Sequence, residues 1–327
     1  MRAIRIERTG GPEVIQPVEI DAAGEPGPGE VRIRHQACGV NFIDTYHRTG
    51  LYPTPLPAVL GVEGAGIVEA VGPGVSHVAP GDRVAYTSTR PGSYAEARVV
   101  PAIPVVRLPD AIDFARGAAM MLKGLTVQYL LRRTRPQRPL QPGDALVWHA
   151  AAGGVGLLAC QWAKALGYRL IGTAGSDEKC ELALRYGAAH AINYRTQDVA
   201  RAVRELTGGK GVAVVYDSVG KDTWETSLDC LEPFGLMVSF GNASGPVPPV
   251  ALGQLSQKGS LYVTRPTLGT HLATREAAQE MADELFAMVA SGRIVIDEPR
   301  RYPLEAAAAA HRDLEARTTT GASVLVP

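Results

Sequence analysis

The segment of this 327-residue chain that most restricts its fold is a short apolar run followed at once by glycines and a helical pattern. Residues 145–150 read ALVWHA and residues 151–156 read AAGGVG. A strand, a glycine turn and a helix in this order form the context in which such a motif binds a dinucleotide. Gly153 predicts close approach of the backbone to a pyrophosphate, and Gly156 predicts close packing of the helix against the strand. Ala151 stands where the motif usually has its first glycine.

Apolar runs alternate with helical patterns through the rest of this region. The predicted strands are residues 145–150, 169–173, 191–194, 212–217, 236–240 and 261–264. Parallel strands need crossover connections, and these pack as helices on both faces of the sheet. The alternation therefore predicts a Rossmann domain with a doubly wound, six-stranded parallel sheet.

The flanking regions have a different pattern. Before residue 124 the segments are short, β-like and separated by Gly and Pro, with predicted strands at 3–6, 31–37, 66–71, 82–86 and 94–100. After residue 270 a helix over 278–289, a helix over 304–316 and a strand over 323–326 return the chain to this first region. We expect an α/β protein with an irregular β domain from residues 1–124 and 271–327 and a dinucleotide-binding domain from residues 125–270.

Charge and cysteine spacing exclude several functions. Lys plus Arg and Asp plus Glu are both 33, so no overall field gathers nucleic acid or an anionic membrane. No stretch approaches the ~18 apolar residues that a membrane span needs. The four cysteines form no CxxC pair, which argues against a structural zinc or a redox dithiol. We expect a soluble, cytoplasmic protein with reduced cysteines.

The choice of cofactor depends on the end of the second predicted strand. An NAD enzyme offers an acidic side chain to the ribose hydroxyls there, whereas residues 171–176 read IGTAGS. Lys179, Tyr194 and Arg195 could surround a 2′-phosphate instead, which favours NADPH. The alternative is that both cations are solvated surface charges, and the acidic residues at 177 and 178 could repel a phosphate.

Longer segments carry a family resemblance along the whole chain. They are GGPEV at 10–14, GVNFIDTYHRTGLYP at 39–53, GVEGAGIVEAVG at 61–72, LKGLTVQYLL at 122–131, HAAAGGVGLLACQWAKALG at 149–167, YDSVG at 216–220, MVSFGNASG at 237–245 and KGSLYVTRP at 258–266. In these segments the chain resembles the NADPH:quinone oxidoreductases of the zeta-crystallin branch of the zinc-free medium-chain dehydrogenases/reductases. The resemblance implies a GroES-like first domain, NADPH with its nicotinamide in the cleft between the domains, a quinone substrate in that cleft, and a homodimer joined through the nucleotide-binding domains.

The same resemblance implies particular site residues. Asn41 and Tyr46 are expected at the nicotinamide end, where they would also serve the substrate. The other expected cofactor contacts are Thr126, Gly153, Gly154, Val155, Ser176, Lys179, Tyr194, Ser218, Phe240, Gly241, Asn242, Arg265 and Arg317. The structural alternatives are that Phe240 belongs to the core, that Tyr46 is a wall aromatic and that Thr126 begins a helix.

The zinc enzymes of this superfamily carry a ligand Cys after Gly-Val and a Gly-His-Glu motif further on. Here the corresponding residues are Asn41 and Gly61-Val62-Glu63, so no metal is expected. A simple ketone needs an electrophile at its developing alkoxide, which zinc would supply. A quinone is already electron-poor, and hydride arrival leaves an aromatic phenolate that hydrogen bonds can stabilise. Two rivals stay open, namely a 2-alkenal or enone reductase with the same cofactor and a non-catalytic NADPH-binding protein.

Overall fold

The computed structural model describes residues 1–135, 138–316 and 321–327 of the chain. These residues fold into two compact units. The first comprises Met1–Leu125, His271–Ala290 and Ile296–Pro327, and the second comprises Thr126–Thr270 and Ser291–Val295. The short segment 291–295 groups with the second unit because the side chain of Gln161 exchanges two hydrogen bonds with the backbone of Val295, of 2.7 and 3.2 Å.

The N-terminal part of the chain is mostly strands. They are β1 (Arg2–Ile6), β2 (Gln16–Glu19), β3 (Glu30–Val40), β4 (Ala58–Val59), β5 (Glu63–Val71), β6 (Arg83–Thr87), β7 (Ala97–Pro101) and β8 (Val106–Arg107). Helix α1 (Phe42–Thr49) follows β3, a 3-10 turn lies at Pro12–Val14, and the long α2 (Phe114–Arg133) closes this part. The predicted strand at 94–100 begins later, at Ala97, because Tyr94 bonds through its backbone to Leu60.

The middle of the chain alternates strands with helices. Its elements are β9 (Ala145–Trp148), α3 (Gly154–Ala165), β10 (Arg169–Ala174), α4 (Asp177–Arg185), β11 (His190–Asn193), α5 (Val199–Leu206), β12 (Val212–Asp217), α6 (Trp224–Asp229), β13 (Leu231–Ser239), α7 (Gly253–Gln257), β14 (Tyr262–Thr264) and α8 (Leu268–His271). The C-terminal part adds α9 (Arg275–Ala290), β15 (Arg300–Pro303), a 3-10 turn at Leu304–Ala306, α10 (Ala307–Glu315) and β16 (Ser323–Val326).

The first unit holds two sheets. A small sheet has the order β2-β1-β4, and a seven-stranded sheet has the order β15-β16-β3-β5-β6-β8 with β7 paired to β3. Strand β3 is central because it pairs antiparallel with β5, β7 and β16. Buried apolar side chains such as Val31, Ile33 and Val84 fill one core cluster beside this sheet. The C-terminal β16 therefore completes the sheet that the N-terminal strands begin.

The second unit is built on a parallel sheet with the order β11-β10-β9-β12-β13-β14. The order reverses between β9 and β12, and the carboxyl ends beside such a reversal form the crevice where open α/β sheets bind ligands. Val147, Ile171, Val215 and Met237 lie in the buried core cluster of this sheet. The prediction of an α/β protein with an irregular β part and a six-stranded parallel sheet is confirmed. The roles of the two units as catalytic and nucleotide-binding domains stay a prediction.

Candidate active site

The glycine turn lies between β9 and α3, and its conformation requires small residues. Gly153 is the N-cap of α3 and provides no side-chain cap for the first amides of the helix. A Cβ on Gly156 would lie 2.5 Å from the carbonyl oxygens of Ala150 and Ala151, so only glycine fits there. The first N–H groups of a helix have no intrahelical acceptor and carry the positive end of the helix dipole. Such a helix start can bind a phosphate group, and the assignment of Gly153, Gly154 and Val155 to a pyrophosphate stays a prediction.

Strand β10 has no acidic side chain at its carboxyl end. The hydroxyl of Ser176 caps α4 by accepting a hydrogen bond from the backbone N–H of Lys179 at 3.4 Å. Tyr194 is 45% exposed, and a Cβ on Gly175 would lie 2.5 Å from its hydroxyl oxygen. Asp177 is turned to Asn193, whose amide donates to it at 2.8 Å. Ser176, Lys179 and Tyr194 therefore lie around the end of β10, and their role towards an adenosine phosphate stays a prediction.

The loops after β12, β13 and β14 meet at the same edge of the sheet. Arg265 donates to the hydroxyl of Ser239 at 2.8 Å and to the carbonyl of Gly241 at 3.0 Å. The amide oxygen of Asn242 accepts from Arg265 at 3.0 Å when the amide is oriented to satisfy both its groups. A Cβ on Gly241 would lie 2.4 Å from the carbonyl oxygen of Ser218, so these two loops pack backbone against backbone. Five predicted residues, counting Phe240 before Gly241, are brought together here.

A buried polar network behind this edge was not found from the sequence. Asp217 accepts from the backbone N–H groups of Val219 and Gly220, at 2.7 and 3.0 Å, and from the hydroxyl of Ser227 at 2.7 Å. His149 contacts the hydroxyl of Ser227 at 3.0 Å and that of Thr173 at 2.9 Å. This network shapes the loop that carries Ser218. The signal available in the sequence was an acid at the end of a buried strand, in YDSVG.

Asn41 lies at the start of α1 and is 3% exposed. Its side-chain nitrogen donates to Glu63 at 2.7 Å, and its side-chain oxygen accepts from the ammonium of Lys123 at 2.6 Å. Glu63 is fully buried, and this burial raises the pKa of its carboxyl while Lys123 opposes the rise. The sequence pointed to Asn41 but not to Lys123 as its partner.

Tyr46 is 9% exposed and belongs to an aromatic group on α1 and the following loop. Its ring centroid lies 5.2 Å from that of Tyr52 and 5.9 Å from that of Phe42, both in edge-on geometry. Tyr52 was not among the predicted site residues. The role of Tyr46 towards ligands stays a prediction, and the packing shows that its ring also supports α1.

Three further predicted residues have different outcomes. Thr126 lies well inside α2 and is 9% exposed, so the alternative that it begins a helix is wrong. Arg317 lies outside the described residues. The alternative that Phe240 belongs to the core is met only in part. Its ring centroid lies 5.4 Å from that of the buried Trp148, but Phe240 itself is half-buried.

A second buried network anchors α1 to α10 within the first unit. Tyr94 donates to Asp44 at 2.8 Å and lies 3.2 Å from Nε2 of His311. Nδ1 of His311 lies 3.1 Å from Arg48, which can only donate, so this nitrogen accepts. Burial lowers the pKa of His311 to about 3 and raises that of Asp44 to about 7. Arg48 is completed by a bidentate ion pair with Glu315.

Neither a metal cluster nor a membrane-spanning helix occurs in the described parts of the chain. There, no three His, Cys, Asp or Glu side chains are grouped so that they could hold a metal ion. Among these residues no helix combines the length and apolar character that crossing a bilayer requires.

Comparison with known proteins gives the class of the chain. The family model described as the alcohol dehydrogenase GroES-like domain matches residues 27–110, and the model described as zinc-binding dehydrogenase matches residues 154–287. The two matches follow the order of the β-rich and Rossmann parts found in the fold. They define a medium-chain dehydrogenase/reductase architecture.

Individual relatives narrow this class. A quinone oxidoreductase of Pseudomonas aeruginosa is 58% identical, covering 100% of this chain and 99% of the relative. A crystal structure of Escherichia coli quinone oxidoreductase complexed with NADPH superposes with a TM-score of 0.96 at 52% identity and covers 100% of both chains. A 2-haloacrylate reductase from a Burkholderia species is 44% identical over 98% of each chain. The chain therefore belongs to the quinone oxidoreductase family of the medium-chain dehydrogenases/reductases, as the resemblance of its motifs implied.

Proposed function

We propose that this protein is an NADPH:quinone oxidoreductase that transfers hydride to a quinone without zinc. The observation that carries the proposal is the place of Asn41. It stands where the zinc enzymes have a ligand cysteine, and its amide is bound by Glu63 and Lys123. An amide held between a carboxylate and an ammonium is a hydrogen-bonding group for a substrate and a poor metal ligand. An electron-poor substrate that needs hydrogen bonds rather than a Lewis acid fits this site.

The balanced reaction is quinone plus NADPH plus a proton to hydroquinone plus NADP⁺. Bound NADPH would supply the hydride, and the protein would supply position and hydrogen bonds. The turn at Gly153, Gly154 and Val155 would hold the pyrophosphate on the N-terminus of α3. Asn41 and Tyr46 would lie at the nicotinamide end and meet the quinone oxygen as negative charge develops on it. The further cofactor contacts proposed are Thr126, Ser218, Phe240, Gly241, Asn242, Arg265 and Arg317.

NADPH rather than NADH is proposed because of the end of β10. A carboxylate there would bind ribose hydroxyls and repel a 2′-phosphate, and Asp177 is engaged by Asn193 instead. Ser176, Lys179 and Tyr194 offer hydroxyls and a cation. The NADPH carried by the Escherichia coli relative supports this assignment.

A second candidate is reduction of an activated alkene such as a 2-alkenal, enone or haloacrylate. The similarity to the 2-haloacrylate reductase favours it, because a conjugated alkene also accepts hydride without a metal. Oxidation of NADPH should be measured side by side with 1,4-benzoquinone, 1,2-naphthoquinone, a 2-alkenal and 2-chloroacrylate. The highest kcat/KM for a quinone supports the proposal, the highest for an alkene supports the rival, and binding of NADPH without turnover of any of them makes the protein a cofactor-binding protein.

We also propose a homodimer joined through the nucleotide-binding units. Strand β14 is the last strand of its sheet, and Tyr262 and Val263 on it are 60% and 40% exposed. An exposed edge strand with apolar side chains is a template for pairing with a second copy. Val263→Lys should convert a dimer into a monomer in light-scattering measurements, whereas a monomeric parent protein would refute the proposal.

A further inference from the structure

The amide of Asn41 lies between two buried charged groups of opposite sign. Lys123 is 7% exposed and Glu63 is fully buried. Their nearest charged atoms, Nζ and Oε2, are 3.9 Å apart, and each hydrogen-bonds the Asn41 amide, at 2.6 and 2.7 Å. The two charges therefore compensate each other partly through the amide dipole.

This arrangement permits one orientation of the amide. An ammonium has donors only, and both carboxyl oxygens of Glu63 act as acceptors, Oε1 from the backbone N–H of Leu122 and Oε2 from Asn41. Rotating the Asn41 amide by half a turn would set N–H groups against Lys123 and the carbonyl against Glu63, which replaces two attractive contacts with two repulsive ones. Asparagine orientation is often ambiguous, but here the two charged partners decide it.

Glu63 is itself held in place, so it cannot follow a rotation of Asn41. Its Oε1 accepts from the backbone N–H of Leu122 at 2.7 Å. A Cβ on Gly39 would lie 2.2 Å from its Oε2, so the carboxylate occupies space that a side chain at 39 would fill. The backbone N–H of Asn41 is also fixed, by Asp44 at 2.8 Å.

The fixed orientation leaves one group for a ligand. An amide nitrogen carries two N–H donors, and among the residues that the structure describes Nδ2 of Asn41 donates only to Glu63. We propose that Lys123 and Glu63 are positioning residues that present Asn41 as a hydrogen-bond donor, so that it selects a carbonyl oxygen. This inference rests on the proposed function, in which the carbonyl belongs either to the nicotinamide carboxamide or to the quinone.

The test compares two variants of Lys123 whose new side chains, Met and Gln, are equal in length. Lys123→Met removes the donor that orients the amide, and Lys123→Gln keeps a neutral donor. Lys210→Met, at an exposed lysine, is the matched control. The dissociation constants of NADPH and of its thionicotinamide analogue are measured by fluorescence, because a thiocarbonyl is a weaker acceptor than a carbonyl. Binding needs no quinone, so this test works even if quinone turnover fails.

If the carboxamide is the ligand, Lys123→Met should weaken NADPH binding by roughly three- to tenfold, as for loss of one oriented hydrogen bond, and should weaken the analogue less. If the quinone is the ligand, KM for the quinone should rise by a similar factor with cofactor binding unchanged. Lys123→Gln should restore either property in large part. Unchanged constants, or equal losses for every ligand that follow a fall in melting temperature, would overturn the proposal.

Two further measurements guard against a variant that does not fold. The double variant Lys123→Met/Glu63→Gln removes both buried charges together, which proteins tolerate better than one unpaired charge. Like Lys123→Met, this double variant should bind NADPH and its thionicotinamide analogue with more similar dissociation constants than the parent protein does. In the wild type with 15N-labelled asparagine, saturating NADPH and then a quinone analogue should shift one Nδ2 proton of Asn41 much more than the other. Equal or absent shifts of both protons with both ligands would refute the proposal without any variant.

Discussion

The hydroxyl of Ser227 connects two buried groups of the Rossmann sheet, donating to Asp217 at 2.7 Å and lying 3.0 Å from Nε2 of His149. Because its single proton goes to the carboxylate, Nε2 of His149 must be the donor to Ser227. Nδ1 then accepts from the hydroxyl of Thr173 at 2.9 Å. Burial lowers the pKa of His149, which agrees with a neutral ring. One hydroxyl therefore sets the tautomer of the histidine that precedes the glycine turn.

Ser227→Ala should lower the free energy of unfolding by about 1–3 kcal/mol, because it leaves the buried Nε2–H of His149 without an acceptor and removes one of the donors to the carboxylate of Asp217. Urea unfolding measures this loss. Ser256→Ala, at an exposed serine, should change stability little. If the two variants are equally stable, the network contributes nothing net to the fold.

Lys179→Ala should raise KM for NADPH by roughly tenfold, since a charge-assisted hydrogen bond contributes ~1.5–3 kcal/mol and screening at an open pocket favours the lower end. KM for NADH should barely move, because NADH lacks the phosphate. Steady-state kinetics with both cofactors measure the difference, and added salt should weaken NADPH binding more in the parent than in the variant. Arg185→Ala, at the other end of α4, is the control. Equal effects on both cofactors would give Lys179 a structural role.

Tyr46→Phe should alter kcat or KM for the quinone with little change in melting temperature, because the ring that packs on Tyr52 and Phe42 is kept. Tyr46→Ala should instead destabilise the protein by about 3–5 kcal/mol, as removal of a buried aromatic side chain does. Kinetics and thermal unfolding of both variants separate the hydroxyl from the ring. Parent-like kinetics of Tyr46→Phe would make Tyr46 a packing residue only.

Asp44→Asn should make stability less sensitive to pH. Burial raises the pKa of Asp44 to about 7 in the folded protein, whereas an unfolded aspartate has a pKa of about 3.9. Between these values the folded state holds a proton that the unfolded state has lost, so this group destabilises the fold by ~1.4 kcal/mol for each pH unit of rise. The stability of Asp44→Asn relative to the parent should therefore increase from pH ~4 to pH ~7. Parallel stability profiles in urea would show that Asp44 does not titrate in this window.

Chelators should leave NADPH oxidation unchanged, and metal analysis should find well under one zinc per chain. Cys38 is the cysteine nearest in sequence to Asn41, the position at which the zinc enzymes have a ligand cysteine. It is fully buried, and its thiol donates to the carbonyl of Ser93 at 2.8 Å. Burial raises the pKa of this thiol, so it does not offer the thiolate that zinc binds. Stoichiometric zinc together with chelator-sensitive turnover would contradict the zinc-free mechanism.

The sequence by itself determined the features that depend on neighbours along the chain. The glycine turn, the alternation of strands and helices and the strand ends are local patterns, because backbone conformation responds to nearby glycines and to the period of apolar residues. The six predicted strands accordingly match β9 to β14 within a few residues, except that β13 begins at Leu231 rather than at 236. The sequence did not predict this start because a proline, here at 233, is unfavourable inside a strand. In the structure Phe234 has a φ of 60°, so the strand is irregular at this point.

Only the tertiary structure decided which buried polar groups meet. Asn41 contacts Glu63 and Lys123, which are 22 and 82 residues away, and Tyr94 contacts His311 across 217 residues. Such pairs depend on the pairing of β3 with β5 and on how α1, α2 and α10 pack within the first unit, which no local pattern encodes. Burial then gives these contacts their effect, because an ammonium, a carboxylate or an imidazole removed from water must find a partner of matching polarity. The sequence could thus name Asn41, but the fold selects the two charges that orient it.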